Sequence, residues 1–404
     1  MPVLPGSPSR RVTSALAAVL LSAFTACTTP YHPPVVEGNG TFPGLDNYLA
    51  QYPDVHAVFV HGMCTHDVSW ANDRKADLVS RLGGTVSAEN WPPAEPNQIA
   101  VYRMTLHRGE HNLHADFILW SPMTTPLKAL LSFDSPSDNV TNSSGFPYIR
   151  AGLNNQFKVG LVNDCLADAI IYSGDNGNRI RSEMKQVVCS VLGGAILANG
   201  VCGLSYTSRS GELNEPLIFV TESLGSKILF DAALALEADA GLKGKPSTVD
   251  QLRRQLAQTR QIFMLANQIP ILDRANVPLG TTTRAKGENS EAARPLVMDS
   301  LNSFLQLLKS ARTGDKSPEM NATAVSVVAF SDPNDLLSYR IPATYFTGAG
   351  ERFEIVNVIV SNSPTYFSSF EIPTTAHTQY ESNPDVLRYL YCGNPVASFC
   401  KGWQ

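Results

Sequence analysis

Thr221-Glu222-Ser223-Leu224-Gly225 is the stretch of this chain best suited to covalent chemistry. A short apolar run, Leu217 to Val220, reads as a buried strand, and a helix-like segment runs from Ser226 to about Ala240. Ser223 stands between them, with Thr221 two before it and Gly225 two after. Small-x-Ser-x-Gly on a strand–turn–helix is the sequence form of a nucleophile elbow. The turn is tight, so its flanking residues must be small. The serine oxygen then stands clear of the backbone, and the next N–H faces the oxygen of the group under attack. Thr221 and Glu222 depart from the Gly and His common at those positions. A Ser-x-Gly at a helix start is also an ordinary N-cap, its side chain accepting from a first-turn N–H. The pentapeptide alone leaves both readings open.

Serine needs a base within hydrogen-bond reach, and the base needs an acid to fix its tautomer and stabilise its charged form. An elbow of this kind takes its partners in the chain order Ser, acid, His. The eight histidines are His32, His56, His61, His66, His107, His111, His114 and His377. His377 alone follows Ser223, so it is the candidate base, in a polar loop after the last expected strand. The alternative is a loop histidine held by a structural hydrogen bond. The acid is expected after the preceding strand, in Ser331-Asp332-Pro333-Asn334-Asp335-Leu336. Asp335 precedes a short apolar stretch and is preferred. Asp332 is the alternative, although Pro333 beside it suits a turn-forming role. Both carboxylates also fit a purely turn-shaping role.

Acyl transfer builds negative charge on a carbonyl oxygen, and each backbone N–H aimed at it contributes about 3 kcal/mol. Leu224, next after the nucleophile, is one expected donor. The other is expected from His61-Gly62-Met63, just after an early strand. Met63 is the preferred donor and Cys64 the second choice. His61 reads as structural.

These residues need a scaffold. Val55 to Val60 is a near-continuous apolar run, as expected of a parallel strand covered on both faces. Helices are expected over 70–82, 156–172, 180–192, 249–258, 296–311 and 383–391. Strands are expected over 99–107, 114–120, 261–266, 324–330 and 353–360, with a hairpin turn at 108–112. Strands alternating with helices argue for a parallel sheet with helices on both faces.

The His-Gly loop, the Thr-x-Ser-x-Gly elbow, the aspartate after a late strand and the terminal histidine together resemble the α/β-hydrolase superfamily, in the lipase and esterase style. The resemblance spans about residues 54–391. Ser-Leu-Gly-Ser at 223–226 is similar to the elbow of many lipases and phospholipases. Asp168-Ala-Ile-Ile-Tyr172 is weakly similar to an Asp-x-x-x-Tyr helix before the elbow in some phospholipases. The resemblance implies an α/β-hydrolase fold over 46–404, with a hairpin and helical insertion at about 99–200. It implies a serine esterase or lipase that works without a cofactor. An acyltransferase with the same triad, or an inactive binding protein of the same fold, are the other readings.

The chain of 404 residues carries 31 basic and 36 acidic side chains and no basic run, so nucleic acid is not an expected partner. Arg10 and Arg11, the apolar run Ala15 to Ala26, and small residues before Cys27 describe a bacterial lipoprotein signal over 1–27, with Cys27 lipidated. Ordinary cleavage near Ala26 or an uncleaved anchor are the alternatives. Residues 28–45, with four prolines and three glycines, read as a flexible tether. The expected location is the bacterial envelope, periplasmic or outer-membrane side, with the site beside a membrane and a lipid-like ester as substrate. The remaining six cysteines suggest disulfides in an exported chain. Cys392–Cys400 and Cys189–Cys202 are the local pairings, leaving Cys64 with Cys165. Several other pairings stay open. His107, His111, His114 and Asp116 splay over a hairpin, so no metal site is expected there. Asn139, Asn142 and Asn321 fit the glycosylation pattern but read only as polar loops.

Overall fold

Six apolar strands run parallel at the centre of a nine-stranded mixed sheet in the computed structural model. The model describes residues 28–30, 32–38, 40–134, 150–204, 215–277, 279, 299–313, 324–342, 353–366, 370–396 and 400. The strands are β1 (Val35–Val36), β2 (Asp54–Val60), β3 (Thr85–Asn90), β4 (Ala100–Arg108), β5 (His111–Leu119), β6 (Leu217–Glu222), β7 (Thr259–Leu265), β8 (Val325–Ser331) and β9 (Phe353–Ile359). Their spatial order is β1-β9-β8-β7-β6-β2-β5-β4-β3. Pairing is parallel from β9 through β5 and antiparallel at both edges. Every residue of β6, β7 and β8 is buried, and each strand has an apolar centre, as expected of strands covered on both faces.

Side chains alternate between two cores. Val58, Val60, Phe219 and Met264 face one layer, with α3 (Asn176–Val191), α4 (Leu224–Lys243), α5 (Pro246–Ala257) and α6 (Ser300–Thr313). Val55, Phe59, Val220 and Phe263 face the other, with α1 (Leu45–Gln51), α2 (Val68–Leu82) and α8 (Pro384–Cys392). A further short helix, α7, spans Pro373–Thr378. The period-2 alternation of each strand thus feeds a core on each face.

The chain order explains where a site can form. From β2 the chain moves through α2 toward the β5-β4-β3 edge. From β6 it moves through α4 toward the β7-β8-β9 edge. The two directions part between β2 and β6, and in open α/β sheets a crevice opens at the carboxyl ends of such neighbours. Gly62 and Met63 follow β2, and Ser223 follows β6, so the expected oxyanion loop and elbow share that crevice.

Several expectations need correction. The tether read over 28–45 is in part folded: Val35–Val36 pairs with β9, Phe42 is 4 % exposed and Leu45 fully buried. Proline and glycine density hid these few apolar anchors. The insertion read over 99–200 begins later, because Ala100–Leu119 forms β4 and β5 of the main sheet. The inserted segment lies between β5 and β6. It includes a π-helical stretch at Phe157–Leu166 and the helix α3. Thr85–Asn90 is a strand the pattern did not reveal, since it is a mostly exposed edge. His377 lies on α7 rather than in a loop.

Cys64–Cys165, Cys189–Cys202 and Cys392–Cys400 are bonded, matching the expected pairing. The first ties the loop after β2 to the insertion. The signal segment, Cys27 and the three glycosylation-pattern asparagines lie outside the described residues. No described helix is long and apolar enough to cross a membrane.

Candidate active site

Ser223 adopts φ 52° and ψ −125°, a backbone conformation that costs a non-glycine residue about 1–3 kcal/mol. The surroundings enforce it. The Ser223 N–H donates to the Leu265 carbonyl at 2.8 Å, fixing the elbow to β7. A side chain at Gly225 would bring its Cβ within 2.2 Å of the His61 carbonyl, so that position admits only glycine. Thr221 fits where glycine is common because its hydroxyl accepts from Ser226 Oγ at 2.8 Å and donates to the Phe263 carbonyl at 3.3 Å. The Ser223 side chain makes no capping bond to the α4 N-terminus, so the N-cap reading is not the one adopted.

His377 comes from α7, after β9. Its Nε2 lies 3.3 Å from Ser223 Oγ. Its Nδ1 faces the Asp335 carboxylate, at 2.9 Å and 3.0 Å from the two oxygens. Asp335 also accepts from the Leu337 N–H at 3.0 Å and from the Tyr380 hydroxyl at 3.0 Å. These donors hold the carboxylate beside the imidazole. Asp332 does different work. Its two oxygens accept from the Asn334 and Asn362 N–H groups at 2.8 Å and 2.6 Å, shaping the turn after β8. Burial pushes its carboxyl above the usual range. Of the two expected acids, Asp335 is the one beside His377.

The loop after β2 is rigidly held. His61 is fully buried, stacks on Trp120 at 4.9 Å between ring centres, and accepts at Nε2 from the Trp120 and Ser121 N–H groups at 2.9 Å and 3.2 Å. Its Nδ1–H donates to the Gly62 carbonyl at 2.7 Å. Burial first, then His66, keeps this imidazole well below its ordinary pKa, so it is a neutral structural group. The Cys64 N–H is taken by Asp168 at 2.9 Å, which removes the second-choice oxyanion donor. The N–H groups of Met63 and Leu224 have no acceptor among the described residues.

Three neighbours were not legible in the sequence. Tyr380 accepts from the Asp332 N–H at 2.7 Å while donating to Asp335, bridging the two aspartates. Gln268, after β7, places its amide nitrogen 3.1 Å from His377 Nε2. Glu222 is buried beside Ser223 with Glu381 and Arg74 as charged neighbours. These contacts depend on turns that meet only in the folded chain, and no spacing motif marks them. The hairpin histidines make hydrogen bonds away from the site. His111 Nδ1 lies 2.8 Å from the Tyr52 carbonyl, and His114 sits between Thr105 and Asp54.

Glu222 carries a stability prediction. Burial first, then the Glu381 charge, raises its carboxyl pKa well above the ordinary value. A folded-state pKa above the unfolded one gives stability that is complete at low pH and is lost as pH rises through the folded value. Glu222→Gln is therefore expected to raise Tm at pH 8 by about 2 °C or more and to change it less at pH 4.5. Thermal melts at the two pH values check this, and an equal shift at both would contradict it.

No protein-family model, curated protein or solved structure matches this chain.

Proposed function

We propose that the protein is a serine hydrolase of the α/β-hydrolase fold that cleaves carboxylic esters through an acyl-enzyme on Ser223. The observation that carries this reading is the contact chain Ser223 Oγ, His377 Nε2 and Nδ1, Asp335, built on a strained elbow at the crevice between β2 and β6. His377 takes the Ser223 proton as Oγ attacks the ester carbonyl. The N–H groups of Leu224 and Met63 hold the oxyanion. His377 then gives the proton to the departing alcohol. Water enters, loses a proton to His377 and attacks the acyl carbon. The Ser223 Oγ–acyl bond breaks, Oγ takes the proton back and the acid leaves. Asp335 keeps Nδ1 protonated throughout, so Nε2 stays the working nitrogen.

A lipid-like ester is the substrate we favour. The insertion tied to the Met63 loop by Cys64–Cys165 carries exposed apolar residues: Leu130 at 70 %, Phe133 at 68 % and Ile170 at 72 %. The lipoprotein signal read over residues 1–27, with Cys27 lipidated, would hold such a site against a membrane of the cell envelope. Separation of Ser223 from His377 would favour an inactive binding protein of the same fold, and their 3.3 Å approach favours the enzyme. Ser223 is fully buried and His377 3 % exposed, so side chains over the site must move before an ester reaches it.

Hydrolysis of p-nitrophenyl esters from acetate to palmitate tests the reading. Turnover that rises with acyl length before falling is expected. No turnover of any ester, in buffer or with detergent micelles, would contradict it.

Asp168 offers a separate check on the oxyanion loop. It is fully buried and joins the Cys64 N–H to Lys128 Nζ, 3.0 Å away. Asp168→Asn removes the charge that holds both. We expect kcat to fall about tenfold, less than the loss for deleting an oxyanion donor outright, with KM within about twofold. Unchanged kcat in a folded variant would show that the loop holds its position without Asp168.

A further inference from the structure

The Nε2 lone pair of His377 has two suitors. With Nδ1 engaged by Asp335, the neutral ring has one in-plane lone pair at Nε2. Ser223 Oγ approaches it to 3.3 Å, and the Gln268 amide nitrogen approaches more closely, to 3.1 Å. The same amide nitrogen lies 3.4 Å from Met63 Sδ, so it spans from the base to the oxyanion loop. Gln268 is 2 % exposed and its turn is fixed by Asn267, which donates to the Tyr339 carbonyl at 2.9 Å. A second partner of Nε2 is what the later half of acyl transfer requires. The leaving alcohol departs from this position, and the acceptor that releases the acyl group must be within hydrogen-bond reach of the same nitrogen.

We propose that Gln268 governs which acyl acceptor is used and favours water over alcohols. The proposal rests on the serine-hydrolase reading above. Once the acyl-enzyme has formed, the amide turns off Nε2 and the acceptor takes its place. Water gives one proton to Nε2 as its oxygen attacks the acyl carbon. Its second O–H is satisfied by Gln268 Oε1. The Oγ–acyl bond then breaks, Nε2 returns the proton to Oγ, and the free acid leaves. An alcohol undergoes the same steps and yields an ester, but it spends its only O–H on Nε2. It presents carbon to Gln268 Oε1 and leaves that oxygen without the bond that water supplies. Losing that one hydrogen bond disfavours the alcohol route by about tenfold. Gln268 is thus a specificity-determining residue that separates hydrolase from acyltransferase behaviour on one triad.

The test uses p-nitrophenyl acetate with added methanol. The burst of nitrophenol reads acylation, and the ratio of methyl acetate to acetate reads acceptor choice. Gln268→Leu is expected to keep a burst, to slow release of the acetyl group, and to raise the ester-to-acid ratio about tenfold. Gln268→Glu keeps an acceptor oxygen in place and is expected to hold the ratio within about twofold of the parent. If the leucine variant does not fold, Gln268→Met supplies an unbranched apolar match. A parent-like ratio in the leucine or methionine variant, with the burst intact, would overturn the proposal alone. So would a ratio raised as much in Gln268→Glu as in Gln268→Leu. Absence of any nitrophenol release by the parent protein, burst or steady, would remove the hydrolase reading and this proposal together.

Discussion

Ser223→Ala is expected to lower kcat on any ester by at least about 10⁴-fold, because removing a triad nucleophile leaves only binding and oxyanion stabilisation. Folding should survive, since among the described residues Ser223 Oγ makes its hydrogen bond only to His377. The backbone strain remains in this variant, because alanine still carries a Cβ at φ 52°. Ser223→Gly separates the two effects. Glycine adopts positive φ freely, so this variant should be as inactive as alanine and yet melt at a higher temperature. Steady-state rates and thermal melts on the parent and both variants check the pair. Substantial turnover in Ser223→Ala would remove Ser223 from the chemistry.

The second large effect is expected at the acid. Asp335→Asn should cost about 10⁴-fold in kcat with little change in fold. The carboxylate accepts from three donors: His377 Nδ1–H, the Leu337 N–H and the Tyr380 hydroxyl. An asparagine has one acceptor oxygen and an amide that must donate. Turned toward His377, that amide makes Nδ1 the acceptor and leaves the proton on Nε2, where the base is needed. Asp332→Asn is the control. The Asp332 carboxylate accepts from the backbone N–H groups of Asn334 and Asn362 and does not touch His377 among the described residues. Its variant should lose stability and less than about tenfold in kcat. Equal losses at the two aspartates would contradict the assignment of Asp335.

What could be read from the chain and what could not follow from the physics of each part. The buried parallel strands were legible because doubly covered strands are mostly apolar, as at Leu217–Val220 and Val327–Phe330. Thr85–Asn90 was not, because an exposed edge strand needs no apolar pattern. The trio Ser223, Asp335 and His377 was legible through chain order, since His377 alone follows the elbow, and the fold brings the three together. Gln268 and Tyr380 carry no such ordering. Gln268 reaches His377 across 109 residues and Tyr380 reaches Asp335 across 45, each through a turn whose direction only the packed sheet sets. The helix at Pro373–Thr378 was hidden by its threonines, yet Pro373 stands in the first turn, where its missing N–H costs nothing.

Covalent labelling asks the central question most simply. The parent protein, incubated with a fluorophosphonate and digested, should carry the phosphonyl group on Ser223 and on no other residue. Ser223→Ala should carry none, and Asp335→Asn should label far more slowly than the parent. A parent protein that stays unlabelled after prolonged exposure, with or without micelles to open the site, would contradict an activated Ser223.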